Sequence, residues 1–234
     1  MKKTKSKGFV IVATKKKGFY RSAINLAESV KDFWPEADIT LFTHEDWIEQ
    51  EDRNLFDKII TKGIPNHIRA KLWALNKTPY DITCYLDADM HCEHEDIKDV
   101  FDLLPDHLDV VFTKNRPYNS ALTTLSETEE MTCHCGFFVY RKNPEIMSLM
   151  GAWYTEYLEQ QKPEYDMLHY PESAKKWDTF TMWRLLTYGE QKIKWGYIEP
   201  PDARWNFVNG YLESELQGTE VVLFHHTIPK DKQE

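Results

Sequence analysis

The alternation at the start of the chain constrains its fold more than any other feature. The stretch 8–13, Gly-Phe-Val-Ile-Val-Ala, is a short, continuous, β-branched apolar run, the pattern of a strand covered on both faces of a parallel sheet. Between residues 20 and 30 the apolar side chains Ala23, Leu26, Ala27 and Val30 fall on one helical face, and Pro35 closes the unit. Further strands are expected at 37–42, 56–61, 82–86, 108–112, 136–140 and 221–224, and helices at 67–76, 96–104, 144–157 and 177–186. Strand–helix–strand repetition implies an α/β fold with a Rossmann-like, mostly parallel sheet flanked by helices. No repeat, low-complexity tract or linker divides residues 1–234, so one domain is expected.

Charge narrows the partners. Seven of the 29 Lys and Arg residues lie in the first 17 positions, leaving 22 against 38 Asp and Glu in the remainder. That acidic body repels a phosphate backbone, so extended nucleic-acid binding is not expected. Residues 1–7 read as a solubilising, frayed terminus. The apolar run at 9–13 is too short for a signal peptide, and no segment approaches membrane-spanning length, so a cytoplasmic protein is expected. Among the four cysteines, Cys84 reads as a buried thiol, and Cys133-His134-Cys135 lacks the paired Cys-x-x-Cys spacing of zinc sites. Thr14-Lys-Lys-Lys-Gly18 stands where a dinucleotide-binding enzyme carries Gly-x-Gly-x-x-Gly, which argues against NAD or FAD.

The expected strand 82–86 runs into Asp87-Ala88-Asp89. Side chains alternate along an extended chain, so the two carboxylates share a face. Like charges side by side at the end of a core strand repel, and a hard cation such as Mn2+ or Mg2+ relieves them. Capping of the following loop is the purely structural alternative. Ligands bind at the carboxyl ends of parallel strands, so Ala13-Thr14, Thr43-His44 and Asp87–Asp89 are expected to converge on one cleft.

From Lys71 onward the chain resembles the family 8 glycosyltransferases, the glycogenin-like group in particular. The shared block is Lys71-Leu72, Tyr80, Tyr85-Leu-Asp-Ala-Asp89 and Asp96-Ile-Lys-Asp-Val-Phe101, followed in order by Cys135-Gly136-Phe-Phe-Val-Tyr140, Asp178, Trp205-Asn206 and the segment 221–230. The resemblance implies a glycosyltransferase A type fold, with a nucleotide-binding half at 1–110 and an acceptor-side half at 111–234. It implies a nucleotide-sugar donor, most often a UDP-sugar, and an Mn2+ or Mg2+ cofactor. Asp87 and Asp89 would hold the metal, Asp87 also reaching the donor. Ala13, Thr14, Tyr20, Lys71, His134 and Lys230 would line the donor site. In a retaining transfer to a hydroxyl acceptor, either Asp178 would act as nucleophile or close stabiliser, or the acceptor would attack from the donor's own face. Capping of its helix is the structural alternative for Asp178 and is compatible with a catalytic role.

The departures are specific. The family's sugar-contacting Asn falls on His134, the Gln after the helix Asp is Thr179, and the metal His falls on Leu223. His225 lies two residues later on the same strand face and is the expected third ligand, with His226 as the alternative. Acceptor contacts are expected from 115–132 and 153–176; the acceptor itself and the oligomeric state are not written in the sequence. Two other readings carry the same carboxylates. One is a sugar-1-phosphate nucleotidyltransferase, although the loop 14–18 has a single glycine. The other is a non-catalytic nucleotide-sugar-binding module.

Overall fold

The computed structural model of the protein describes residues 5–116, 118, 124–190 and 192–226. Seven strands form the main sheet: β1 (Lys7–Ala13), β2 (Ile39–Thr43), β3 (Lys58–Ile60), β4 (Ile82–Leu86), β6 (Val110–Lys114), β7 (Cys133–Arg141) and β8 (Trp195–Tyr197). Their order is β3-β2-β1-β4-β7-β6-β8. Neighbours are parallel except around β7, which runs antiparallel to both β4 and β6. The mostly parallel sheet read from the sequence is therefore present, with one reversed strand inside it.

The unbroken apolar runs are explained by helices on both faces. Phe9 and Ile11 of β1, Cys84 and Leu86 of β4, and Phe137 and Val139 of β7 pack with Ala23, Leu26, Ala27 and Val30 of α1 (Lys17–Phe33). The alternate residues Val10, Tyr85, Phe138 and Tyr140 pack on the other face with α3 (Pro144–Gln160) and α4 (Asp178–Tyr188). Asn143 caps α3 by accepting from the Ile146 N–H at 2.8 Å.

Three expectations need correction. The helix expected over 67–76 is α-helical only in α2 (Lys71–Leu75); residues 67–70 form tight turns such as Ala70 N–H to His67 O. The helix expected over 96–104 is a 3-10 helix, Glu95–Leu103, capped by His94 Nδ1. The terminus is not frayed through residue 7: Ser6 donates twice to Asp81 Oδ2 at 2.9 Å, and Lys7 already belongs to β1.

A second, small sheet has no counterpart in the sequence reading. It comprises β5 (Met90–Cys92), β9 (Phe207–Val208) and β10 (Leu223–His225), in the order β5-β10-β9. The antiparallel register sets His225 opposite Met90, and the His226 N–H donates to Asp89 O at 2.9 Å. This ladder carries the chain's last described strand back to the end of β4. The chain passes from β1 outward to β2 and β3, then returns to β4 on the other side of β1. That switch leaves a crevice beyond the carboxyl ends of β1 and β4.

Candidate active site

Asp87 and Asp89 stand at the exit of β4, where the crevice opens. Asp87 Oδ1 is held by two donors, the Tyr85 hydroxyl at 2.5 Å and Lys71 Nζ at 3.2 Å. Its Oδ2 turns the other way, 4.0 Å from His225 Nε2, which is also 3.3 Å from Asp89 Oδ1. One ligand atom from each of Asp87, Asp89 and His225 lies within 4.8 Å of the others, the one such group found among the described residues. Two carboxylates and an imidazole suit Mn2+ or Mg2+. Residue 136 is kept bare: a Cβ there would lie 2.7 Å from His225 Cε1, 2.8 Å from Asp87 Oδ2 and 2.8 Å from His134 Cε1. These residues fit a divalent cation.

His225 is thus the imidazole that the strand register delivers. Leu223, the position matched to the family's metal His, is fully buried in the core beneath α1. His226 lines the cleft beside the group without belonging to it. The four cysteines are free thiols, and none of them belongs to a group of candidate metal ligands among the described residues.

Behind the carboxylates lies a buried ion-pair relay. Lys71 Nζ donates to Cys135 O at 2.9 Å and lies 3.1 Å from Asp178 Oδ2, a contact of charge rather than of an aligned hydrogen bond. Arg69 Nε faces Asp178 Oδ1 at 3.2 Å. Burial pushes the Asp178 carboxyl up, but the Lys71 ammonium and Arg69 guanidinium outweigh it and hold the pKa below the ordinary range. Asp178 is the first residue of α4, one position inside the cap residue Trp177.

His134 lies beside His225, with ring centroids 5.4 Å apart. The Gly136 N–H donates to His134 Nδ1 at 3.0 Å, while burial, with His225 and Lys71, keeps its pKa well below the usual value. His134 is therefore a neutral imidazole with Nε2–H as its donor.

The crevice has two halves that share Arg69, Lys71, Asp87, Asp89 and Trp177. One, of about 320 Å3, reaches Val12, Thr14, Phe19 and Ile68 at the end of β1. The other, of about 350 Å3, reaches Asn115, Arg116, Met131, His134 and Tyr211. Thr14 lines the first half, although its hydroxyl is committed to His67 O at 2.7 Å. Ala13 is buried behind that wall in the core. Tyr20 turns away, donating to Asp52 Oδ2 at 2.6 Å, and its neighbour Phe19 faces the cleft instead. Tyr80 lies at the opposite end of the strands, its ring against Gly8. Lys230 falls outside the described residues. The sequence reading missed Arg69, Tyr85 and Arg116. Tyr85 was signalled by sharing a strand face with Asp87.

This arrangement has known counterparts in fold. The structure superposes over 96% of its length on the glycosyltransferase GlyE of Streptococcus pneumoniae TIGR4, with a TM-score of 0.63 and 14% identity, and spans 56% of that chain. The fold is that of the A-type glycosyltransferases. The galactosyltransferase LgtC, solved with donor and acceptor sugar analogues, matches over 95% of this chain and 87% of its own, with TM-score 0.54 and 14% identity. Mouse xyloside xylosyltransferase 1 matches over 95% and 99%, with TM-score 0.55 and 12% identity. This chain thus spans little more than half the length of GlyE, and at these identities the likeness is one of fold. No protein-family model matches the sequence, and no curated protein is significantly similar to it. Among the described residues no helix is long and apolar enough to cross a membrane.

Proposed function

We propose that this chain is a metal-dependent glycosyltransferase of the family 8 type, with Asp87-Ala88-Asp89 as its Asp-x-Asp motif. It moves a sugar from a nucleotide-diphosphate sugar, a UDP-sugar in the first instance, to a hydroxyl acceptor with retention of configuration. The observation that carries this reading is the convergence of Asp87, Asp89 and His225 where the two halves of the crevice meet. The nucleoside would occupy the half toward Val12 and Thr14, and the sugar and acceptor the half toward His134 and Tyr211.

Asp87, Asp89 and His225 would hold Mn2+ or Mg2+, which offsets the charge that grows on the diphosphate as the glycosyl bond breaks. The chain's own groups do the rest. The neutral His134 donates a hydrogen bond from Nε2 to a sugar oxygen. Asp178 stays ionised and sets negative charge beside the developing positive charge of the sugar. With both oxygens facing cations, it is better suited to stabilise that charge than to form a covalent bond to carbon. Asn115, Arg116 and Met131, from the two ends of the expected acceptor segment, line the half proposed for the acceptor.

The deciding experiment measures release of UDP from a panel of UDP-sugars, with Mn2+ and with EDTA, for wild type and Asp89→Ala. Hydrolysis that needs Mn2+ and disappears in Asp89→Ala supports the reading, and unchanged turnover in the variant sinks it. Mn2+-dependent UDP binding with no turnover identifies a binding module instead. Pyrophosphate release from UTP and a sugar phosphate identifies a nucleotidyltransferase.

A further inference from the structure

An imidazole binds a cation only through a nitrogen that carries a lone pair, and the tautomer decides which nitrogen that is. His225 Nε2 faces Asp89 Oδ1 and Asp87 Oδ2, while Nδ1 faces Asn206 Oδ1 at 2.8 Å. Asn206 is fully buried, and its amide is gripped from the far side, where Nδ2 donates to Thr113 Oγ1 at 3.1 Å. Thr113 is also buried. It follows a register shift in the β6–β7 ladder, the kind of irregularity that re-aims a side chain.

With its nitrogen turned to Thr113, the Asn206 amide offers His225 an oxygen, and an amide oxygen only accepts. Nδ1 must then carry a proton. Burial lowers the His225 pKa, but without a cation Asp89 and Asp87 outweigh it, draw a second proton onto Nε2 and raise the pKa. In the neutral Nδ1–H imidazole it is Nε2 whose lone pair faces the carboxylates. The backbone around Asn206 is braced to hold this geometry. Trp205 stacks on Phe137, with centroids 6.4 Å apart, and Phe207 pairs with Phe224 in the small sheet. Asp202, four residues before Asn206, is locked to Arg116 by contacts of 2.8 and 3.1 Å.

We propose that Asn206, anchored by Thr113, is a positioning residue that fixes His225 in the Nδ1–H tautomer and thereby presents Nε2 to a divalent cation between Asp87 and Asp89. The consequence for cation binding rests on the metal reading above; the tautomer itself does not. Partners of this kind set ligand orientation and basicity, and their loss typically weakens metal binding about 10–100-fold.

Long-range 1H–15N NMR of the metal-free protein at alkaline pH reads the tautomer directly. Wild type and Asn206→Asp, whose carboxylate also only accepts, are expected to show His225 protonated on Nδ1. Asn206→Leu and Thr113→Val are expected to shift population to the Nε2–H form. Mn2+ titration followed by EPR is expected to show affinity about 10–100-fold weaker in Asn206→Leu and retained in Asn206→Asp. A wild-type spectrum with the proton on Nε2 overturns the proposal, as does a folded Asn206→Leu that binds Mn2+ like wild type. If Asn206→Leu does not fold, Thr113→Val carries the same test with one hydroxyl exchanged for a methyl. A wild type that keeps the Nδ1–H tautomer but binds no Mn2+ removes the metal reading and upholds the tautomer assignment.

Discussion

Lys71 Nζ lies 3.1 Å from Asp178 Oδ2, and both side chains are almost wholly shut off from water. The contact joins the first turn of α2 to the first residue of α4, two elements that cover one face of the sheet. Lys71 also reaches Asp87, so one ammonium ties the helix layer to the end of β4. Removing one member of a buried pair leaves the other charge uncompensated, which costs about 3–5 kcal/mol. Lys71→Met is expected to destabilise the protein by about 3 kcal/mol, the low end because Arg69 still faces Asp178. Urea unfolding measures this, and a loss well under about 1 kcal/mol would mean that Arg69 alone satisfies the carboxylate.

The same relay predicts a dependence on pH. Burial alone would raise the Asp178 pKa, but Lys71 and Arg69 hold it below its ordinary value. A depressed carboxyl contributes stability that is fully present above its unfolded pKa of about 3.9 and is lost as pH falls through the folded value. The unfolding free energy of wild type is therefore expected to fall below pH about 4, and that part of the fall to be absent in Asp178→Asn. The gap between the two proteins narrows as acid is added; a gap of constant size from pH about 6 to about 3 would refute the assignment.

Gly136 leaves room for the candidate cation site by having no side chain. Gly136→Ala puts a methyl within 2.7–2.8 Å of His225, Asp87 and His134 at once. The backbone there is ordinary strand, so the variant is expected to fold, with a packing cost of about 1–3 kcal/mol. Its Mn2+ affinity is expected to fall much further than its stability suggests, because two of the three displaced groups, Asp87 and His225, belong to the candidate ligand set. Calorimetric Mn2+ titration beside a thermal melt separates the two effects, and intact Mn2+ binding would show that the ligands tolerate the shift.

The sequence made the central strands legible because each apolar run is buried on both faces, as Phe9 and Ile11 against α1 and Val10 against the opposite layer show. Asp87 and Asp89 were legible for the related reason that a run so apolar ends on two carboxylates. What stayed hidden is set by register between distant segments. β5, β8 and β9 are two or three residues long, too short to carry a period. The pairing of β5 and β9 with β10 nonetheless decides that His225, and not Leu223, meets Asp89. Tyr20 and Phe19 differ by one step around a helix, about 100°, which turned the tyrosine to Asp52 and the phenylalanine to the cleft. Arg69 and Arg116 gave no signal because their carboxylate partners, Asp178 and Asp202, are far along the chain.

The shape of the crevice predicts how ligands add. The halves of about 320 and 350 Å3 meet only across Arg69, Lys71, Asp87, Asp89 and Trp177. A nucleotide filling the first half therefore ends its diphosphate against two carboxylates, which repel it unless a cation intervenes. UDP alone is expected to shift the melting temperature little, and UDP with Mn2+ to raise it strongly. At 100 times the dissociation constant, binding to the folded state adds about 2.7 kcal/mol, roughly 5–11 °C for a domain of this size. Asp87→Asn removes one repelling charge together with one ligand. It is therefore expected to bind UDP alone slightly better than wild type while losing most of the Mn2+ enhancement. A differential scanning fluorimetry matrix of UDP, Mn2+ and EDTA on both proteins checks both signs, and equal shifts with and without Mn2+ in wild type would place the nucleotide away from Asp87 and Asp89.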